Sequence, residues 1–510
     1  MTGRFNDVMD RRWFLPALIA ANGLALLCFR HFVSLDGPMH LLHAGVIKDA
    51  LLGKGHTTQG MWVDASKLDL NLGDLLIVPM TAVCSPFTAH KLLGAFAITA
   101  VVVGAWSLAR AYRRDPNGAW ILVLPCAFGF VVVLGLFHFA IASGLVLALT
   151  GWWVRRPTVR RRDLVLLVLG AALCLFAHKA GGLLLLSFAG AHEAVLALSD
   201  RAAWRVRWAR WPKWFVPALT GAILVVAVVV LAMRFSGSPV NKHEAHHPLE
   251  ELLTLRTLLL FDSAAERPWR IGLGLAVIVL LFTTVIARRT LGRKPVPGDA
   301  LLLIAVLLLL ASFIRTPWTE LLYITDRAQW LALLLFSCWS SIQPLPKRFA
   351  RSVCIALIAL HASRLLYIER RMSYFEGDDM DALLAQRFLE PGALVIPVLQ
   401  NEGWLGRHRA AYPAMGYDGI LFTGRDHLCF AWETPPEPQV RNYILSLEDD
   451  WGWIGAHIVR GTPPRLQQIL LIGHPSDPKE RRSRELRATL EQYYRPVACF
   501  AQAEVWTLRP

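Results

Sequence analysis

Residues 34–54 read Ser-Leu-Asp-Gly-Pro-Met-His-Leu-Leu-His-Ala-Gly-Val-Ile-Lys-Asp-Ala-Leu-Leu-Gly-Lys, directly after the first long apolar run. Gly37-Pro38 marks a turn, and Pro38 suits the first position of a helix, where its missing N–H is not needed. Asp36, just before that position, is favoured by the unsatisfied N–H groups and the helix dipole. His40 and His43 are three residues apart, so they share one helical face with Asp36 at its mouth. Leu41, Leu42, Val46, Ile47, Leu51 and Leu52 form an apolar stripe fit to lie along a membrane surface. Two readings stand: a capped amphipathic helix following a membrane span, or a catalytic carboxylate with two histidines at the membrane–water boundary.

Composition supports the membrane setting. The 510 residues are 55% hydrophobic and 18% charged, with a mean hydropathy of +0.42. Soluble proteins carry about 25% charged residues. The formal charge of +15 does not imply nucleic acid, because the basic residues lie in short clusters between apolar runs, the positive-inside pattern. The first apolar run has no small-residue cleavage site and is long enough to span, so we expect an anchor rather than a cleaved signal. Most cysteines lie in or beside apolar runs, where they behave as small hydrophobes. Cys429 and Cys499 fall in the soluble part and can pair if it lies outside the cytoplasm.

We expect eleven spans, near 13–33, 88–110, 117–134, 139–154, 163–178, 180–198, 214–234, 269–287, 299–314, 327–344 and 351–368. Arginine-rich clusters at residues 4–12, 110–114, 155–162, 201–213, 288–294 and 347–351 all fall on one set of ends. That bias puts the N-terminus in the cytoplasm and, with an odd number of spans, the C-terminal segment outside. Residues 72–85 are apolar but short and contain Pro79, so they read as an interfacial or re-entrant helix. The expected layout is a polytopic α-helical membrane domain over 1–368, with external juxtamembrane helices at 34–86 and an external loop at 235–268. An extracytoplasmic α/β domain follows over 369–510.

This orientation gathers Asp36, His40, His43, His138, His178, Lys179, His243, His246, His247, Arg315, Glu320, Asp326 and Arg327 at external ends of spans or in external loops. Ionisable groups at membrane depth usually face a polar cavity, and several from separate loops on one face point to a single site. His178-Lys179 interrupts a long apolar run, either as a plain hairpin with Lys179 snorkelling or as a phosphate-binding turn. His138 occupies a short aromatic turn. Asp326-Arg327 is either a solvated charge pair or a phosphate-binding mouth, since arginine suits a lipid phosphate by bidentate hydrogen bonding. His243-Glu244-Ala245-His246-His247 matches H-E-x-x-H, with Glu266 as a third possible ligand. Pro248 biases His247 away from helical geometry, so a zinc protease is a minor alternative.

After Ile368 the character changes. Residues 378–389 read as a helix, 393–399 and 468–473 as buried strands, 479–494 as a charged helix, and 494–508 as two strands around a turn. No phosphate-binding glycine fingerprint occurs. Trp404, Arg407, His408, Arg409, Trp432, Trp451 and Trp453 form either a sugar-stacking face or part of the domain's interior.

Asp36-Gly37-Pro38-Met39-His40 after the first span, the Phe137-His138-Phe139 turn, the Phe176-Ala177-His178 hairpin and Asp326-Arg327 before a late span together resemble the GT-C superfamily of polytopic glycosyltransferases. The layout looks most like bacterial relatives with a "DGPxH" start. The resemblance covers roughly 13–368. It implies a polyprenyl-phosphate-linked sugar donor, and an acidic residue in the first external loop that activates the acceptor or coordinates a metal. Only Asp36 matches that position; the family's commoner acidic pair is here Asp36 followed by Gly37. On this reading Asp36 is the base, and His40 or His43 serves as a second base or binds a divalent cation together with Asp36. His43, His138, His178, Lys179, Arg315, Asp326 and Arg327 bind substrate, the cations stabilising the departing phosphate. The expected partners are the lipid-linked donor and membrane lipids, with no nucleic acid. A non-enzymatic membrane module or a transporter of lipid-linked substrate is the alternative.

Overall fold

Glycine sets how closely the apolar helices cross. The computed structural model describes residues 14–53, 61–63, 71–209, 211, 248–258, 264–291, 296–313, 324–400, 409, 411–414, 417, 420–421, 430–432, 466–473 and 481–510. Contacts divide the chain into two units, residues 1–28 with 94–368 and residues 29–93 with 369–510. The main helices are α1 (Phe14–Cys28), α2 (Gly37–Leu51), α3 (Leu72–Val83), α4 (Pro86–Tyr112), α5 (Phe137–Val154), α6 (Arg161–Ala177), α7 (Gly181–Ser199), α8 (Arg267–Thr290), α9 (Ala300–Ser312), α10 (Ile324–Ile342), α11 (Lys347–Ser373), α12 (Glu376–Ala385) and α13 (Arg481–Tyr493).

In the first unit, α4 and α5 meet backbone to backbone. A Cβ on Gly104 would lie 2.2 Å from the Gly144 carbonyl oxygen, and one on Gly144 would lie 2.5 Å from the Ala100 carbonyl carbon. Small residues at such crossings gain dispersion contact where lipid offers no hydrophobic drive. The α6–α7 hairpin closes by the same device, since a Cβ on Gly181 would lie 2.2 Å from the Cys174 carbonyl oxygen. Among the described residues, five helical stretches are long and apolar enough to cross a membrane: Pro86–Tyr112, Phe137–Val154, Gly181–Ser199, Arg267–Thr290 and Lys347–Phe388. α8 shows the lipid-facing pattern. Leu273, Leu280 and Thr284 are buried, while Ile271, Leu275, Ile278, Phe282 and Ile286 are exposed, a band too apolar for a soluble surface. The expected span at 214–234 lies outside the described residues.

The expected continuous span at 117–134 is broken instead. It forms a 3₁₀ turn (Gly118–Leu122) and two short helices (Val123–Ala127 and Phe130–Val133). Pro125 and Gly129 lie in this run, and each break leaves carbonyls without helical partners. Buried Arg364 of α11 donates to the carbonyls of Pro125 (3.0 Å), Phe128 (2.9 Å) and Leu258 (2.5 Å). Trp330 of α10 donates its indole N–H to Cys126 at 2.7 Å. Irregular backbone at membrane depth persists only where protein satisfies it in this way.

The second unit holds a mixed five-stranded sheet of β2 (Leu394–Leu399), β3 (Ile420–Leu421), β5 (Gln468–Ile472), β6 (Tyr494–Cys499) and β7 (Ala503–Leu508), in the order β3-β2-β5-β7-β6. β2 pairs parallel with β3 and β5, while β7 is antiparallel to β5 and β6. Between β3 and β5 in sequence, β4 (Phe430–Trp432) pairs antiparallel with β1 (Met61–Val63). Alternation along the strands sorts two cores. Leu394, Ile396, Val398, Ile469, Leu471 and Trp506 pack with Leu486 and Leu490 of α13. Val395, Leu470, Ile472, Ala503 and Val505 pack with Ala382 and Ala385 of α12 and with Met39, Leu42 and Val46 of α2. Leu42 and Val46 of the expected membrane-surface stripe therefore face the sheet instead, covering a layer that would otherwise be open to water, while Leu51 and Leu52 are exposed. The segment 34–86, expected with the membrane domain, is grouped by its contacts with 369–510.

Candidate functional site

The second unit presents Asp36 as an accessible group on a helix that is otherwise well covered. Asp36 occupies the N-cap of α2, yet its carboxylate makes no capping hydrogen bond. Ser34 takes that task, its Oγ accepting the Gly37 N–H at 3.1 Å. The helix is capped as expected, with Asp36 at the N-cap position and a neighbouring hydroxyl satisfying the orphan donor. Asp36, His40 and His43 are half-buried, whereas Gly37, Pro38, Met39, Leu41, Leu42, Ala44, Val46 and Ile47 are buried. Their i, i+4, i+7 spacing keeps the three polar groups on one side of α2, away from the sheet-facing stripe.

Three features that the sequence reading passed over support this face. Asn71 caps α3, accepting the N–H groups of Gly73 (2.9 Å) and Asp74 (3.2 Å), and Asp74 accepts the Asn71 N–H at 3.2 Å. The Asn71-x-x-Asp74 capping box was the available signal. Asp74 is buried, and one of its oxygens lies within 4.8 Å of a ring nitrogen of His40. Second, His90 hydrogen-bonds Ser34 Oγ through Nε2 at 2.7 Å and Tyr412 Oη through Nδ1 at 2.8 Å. Third, burial pushes the Tyr412 phenol well above its usual pKa, with Asp379 adding to the effect and Arg409 opposing it. The phenol therefore keeps its proton.

A second buried network anchors the chain just before the motif. His31 Nε2 lies 2.7 Å from Asp379. Arg409 donates to Asp378 at 2.5 Å, lies 3.1 Å from Asp379, and sits 4.7 Å from the Phe375 ring centre. Arg409 is thus an interior ion-pair partner rather than part of a sugar-stacking face. Trp404, Arg407, His408, Trp451 and Trp453 lie outside the described residues, as does Cys429.

The first unit brings a different set together at the starts of α5, α7 and α10. The Phe139 ring is its centre. Arg327 stacks its guanidinium 5.5 Å from that ring, and His178 meets it edge-on at 5.2 Å. His138 precedes Phe139 and is half-buried; Lys179 is exposed. Asp326 and Arg327 do not form the expected neighbour pair. Successive residues on a helix point about 100° apart, so Asp326 turns inward to Arg256, 3.8 Å away, while Arg327 turns to Phe139. Arg315, Glu320 and the His243–His247 motif lie outside the described residues.

His178 closes α6, and its Nδ1 accepts the Ala180 N–H at 3.2 Å.

Neither a known protein-family model nor a curated protein matches the sequence. Among solved structures, the chain is similar to the single-particle cryo-EM structure of a mutant form of the arabinofuranosyltransferase AftD from mycobacteria. The TM-score is 0.50 and the identity 13%, over 98% of this chain and 41% of that one. The chain spans less than half the length of that protein. At this identity the likeness is one of fold alone.

Proposed function

We propose that the chain is a membrane glycosyltransferase that moves a sugar from a polyprenyl-phosphate-linked donor to an acceptor hydroxyl on the external face of the membrane. The observation that carries this reading is the Asp36 carboxylate. It sits at a helix N-terminus, half-buried on the same side of the helix as His40 and His43, in a chain similar in fold to an arabinofuranosyltransferase.

In the proposed reaction the acceptor oxygen attacks the anomeric carbon and the bond from that carbon to the phosphate oxygen breaks. The phosphate leaves with the bonding electrons, and Asp36 takes the acceptor's proton. His40 orients the acceptor or relays that proton, and His43 contacts the sugar. From the sequence reading alone, Lys179, Arg315 and Arg327 are assigned to phosphate binding, with His138 and His178 as hydrogen-bond partners. Buried Asp326 holds Arg256. The N-terminus is assigned to the cytoplasm and residues 369–510 to the external side, following the basic loops.

A divalent cation fits His40 and Asp74, an imidazole nitrogen and a carboxylate oxygen within 4.8 Å, a separation that two ligands of one ion can adopt. Such an ion would polarise a phosphate oxygen. Treatment with EDTA should then abolish transfer, with recovery on adding Mg²⁺ or Mn²⁺, and Asp74→Asn should raise the metal concentration needed for half-maximal rate. Full activity in EDTA would remove the cation from the mechanism and leave Asp36 as base.

The decisive experiment supplies purified protein with a panel of polyprenyl-phosphate sugars and follows transfer or donor hydrolysis by mass spectrometry. Turnover by wild type that is lost in Asp36→Ala supports the reading. A co-purified lipid-linked sugar turned over by neither protein favours a transporter or binding module.

A further inference from the structure

Four of the arginine-rich loops meet at one cavity in the first unit, and a topological signal has no need of a cavity. The space is about 620 Å³ and is lined by Arg113, Arg155, Arg156, Arg207 and Arg288, with Tyr112 among the polar groups. Positive-inside charges act during insertion through their number and sidedness. They do not have to converge.

Carboxylates neutralise three of the five. Arg207 is buried and donates to Glu193 at 2.8 Å and to the Trp153 carbonyl at 2.8 Å. Arg288 pairs with Asp299, its second nitrogen donating at 2.8 Å. Arg156 lies 3.8 Å from Asp163 and 4.7 Å from the Trp152 ring centre. The other two differ. Arg113 donates to the carbonyls of Gln343 (2.6 Å) and Ile342 (3.3 Å), and Arg155 to that of Ser107 (2.8 Å). Among the described residues neither forms an ion pair. Carbonyls orient a guanidinium without cancelling its charge, and each fork has five N–H donors. The cavity is therefore left with excess positive charge held in fixed directions.

We propose that this cavity binds a phosphate-bearing anion, with Arg113 and Arg155 as its principal ligands. Planar guanidinium forks match phosphate oxygens in pairs, and basic pockets between membrane helices suit anionic headgroups. The phosphate belongs to a lipid headgroup or to a soluble phosphate, and the chemistry at the arginines is the same. The proposal is independent of Asp36 and of sugar transfer.

The test uses the full chain in neutral detergent. Native mass spectrometry measures retention of phosphatidylglycerol, cardiolipin and phosphatidylcholine, and calorimetry measures binding of inorganic phosphate and pyrophosphate. Arg155→Gln is the main variant, because Arg155 is exposed and makes one backbone bond. Arg113→Gln/Arg155→Gln is the stronger one. Arg162→Gln/Arg201→Gln is the control, removing the same charge from exposed residues of the same loops. Loss of one charge-assisted bond predicts about 10–100-fold weaker binding. Preferential retention of the anionic lipids, weakened in Arg155→Gln but not in the control, establishes a headgroup site. Phosphate or pyrophosphate binding with that dependence, and no lipid preference, establishes a soluble-anion site. Equal retention of all three lipids with no phosphate binding, or equal losses in variant and control, would overturn the proposal.

Discussion

Asp36→Asn is expected to lower sugar transfer by about two to four orders of magnitude, the usual contribution of a positioned general base, while leaving folding intact. The separation follows from the N-cap. Ser34, not Asp36, satisfies the Gly37 N–H, so the substitution removes a charge without removing a cap. Asparagine is as good an N-cap residue as aspartate, and the position is only half-buried. The melting temperature in detergent should therefore match wild type. Transfer measured from a polyprenyl-phosphate sugar at saturating donor should fall in kcat rather than rise in KM, because the lost proton transfer occurs in the transition state. Wild-type turnover in Asp36→Asn would sink the mechanism, whatever the fold.

The second large effect is expected at Gly37, and here folding and activity fall together. A Cβ on Gly37 would lie 2.0 Å from His90 Nε2 and 2.2 Å from Ser34 Oγ, closer than real Cβ contacts. Those two atoms are hydrogen-bonded to each other at 2.7 Å. Gly37→Ala must push them apart, which breaks the Ser34–His90 bond and strains the His90–Tyr412 bond, both in the interior. Each buried polar group left without a partner costs about 1–3 kcal/mol, so the variant should lose roughly 2–4 kcal/mol of stability. Asp36 is the next residue in the chain and moves with the turn, so transfer should also fall. A double-mutant cycle isolates the cause. In a His90→Ala background the ring is gone, and the added cost of Gly37→Ala should shrink sharply. An undiminished cost would place the strain elsewhere.

Gly37-Pro38 was legible as a helix start because proline and the turn are local signals. That glycine is needed because a histidine from residue 90 rests against it could not be read, since no local pattern joins positions so far apart. The strands at 394–399 and 468–472 were legible from short β-branched and leucine-rich runs bounded by turn residues. The partner of α2 was not. Periodicity reports that a helix face is covered, and both a membrane surface and a sheet satisfy it equally. The break at residues 123–133 had visible causes in Pro125 and Gly129. The residue that makes it tolerable, Arg364, looked like one more charge in an apolar helix. In the candidate site, His178 and Arg327 were legible because polar groups at span ends are few. Asp74 was hidden by its capping role, and His90 by its place inside an apolar run.

The packing of α2 on the C-terminal sheet has a consequence for synthesis. Residues 29–93 leave the ribosome before the strands they cover, which begin at Leu394 and come roughly 300 residues later, some tens of seconds at ordinary elongation rates. Throughout that interval the motif helix exists without the surface that Met39, Leu42 and Val46 cover. A chain stopped before Leu394 keeps its apolar helices and can still insert, but the Asp36 turn then lacks both its sheet and the Tyr412 end of its buried network. The Asp36 turn is completed by segments made long after it.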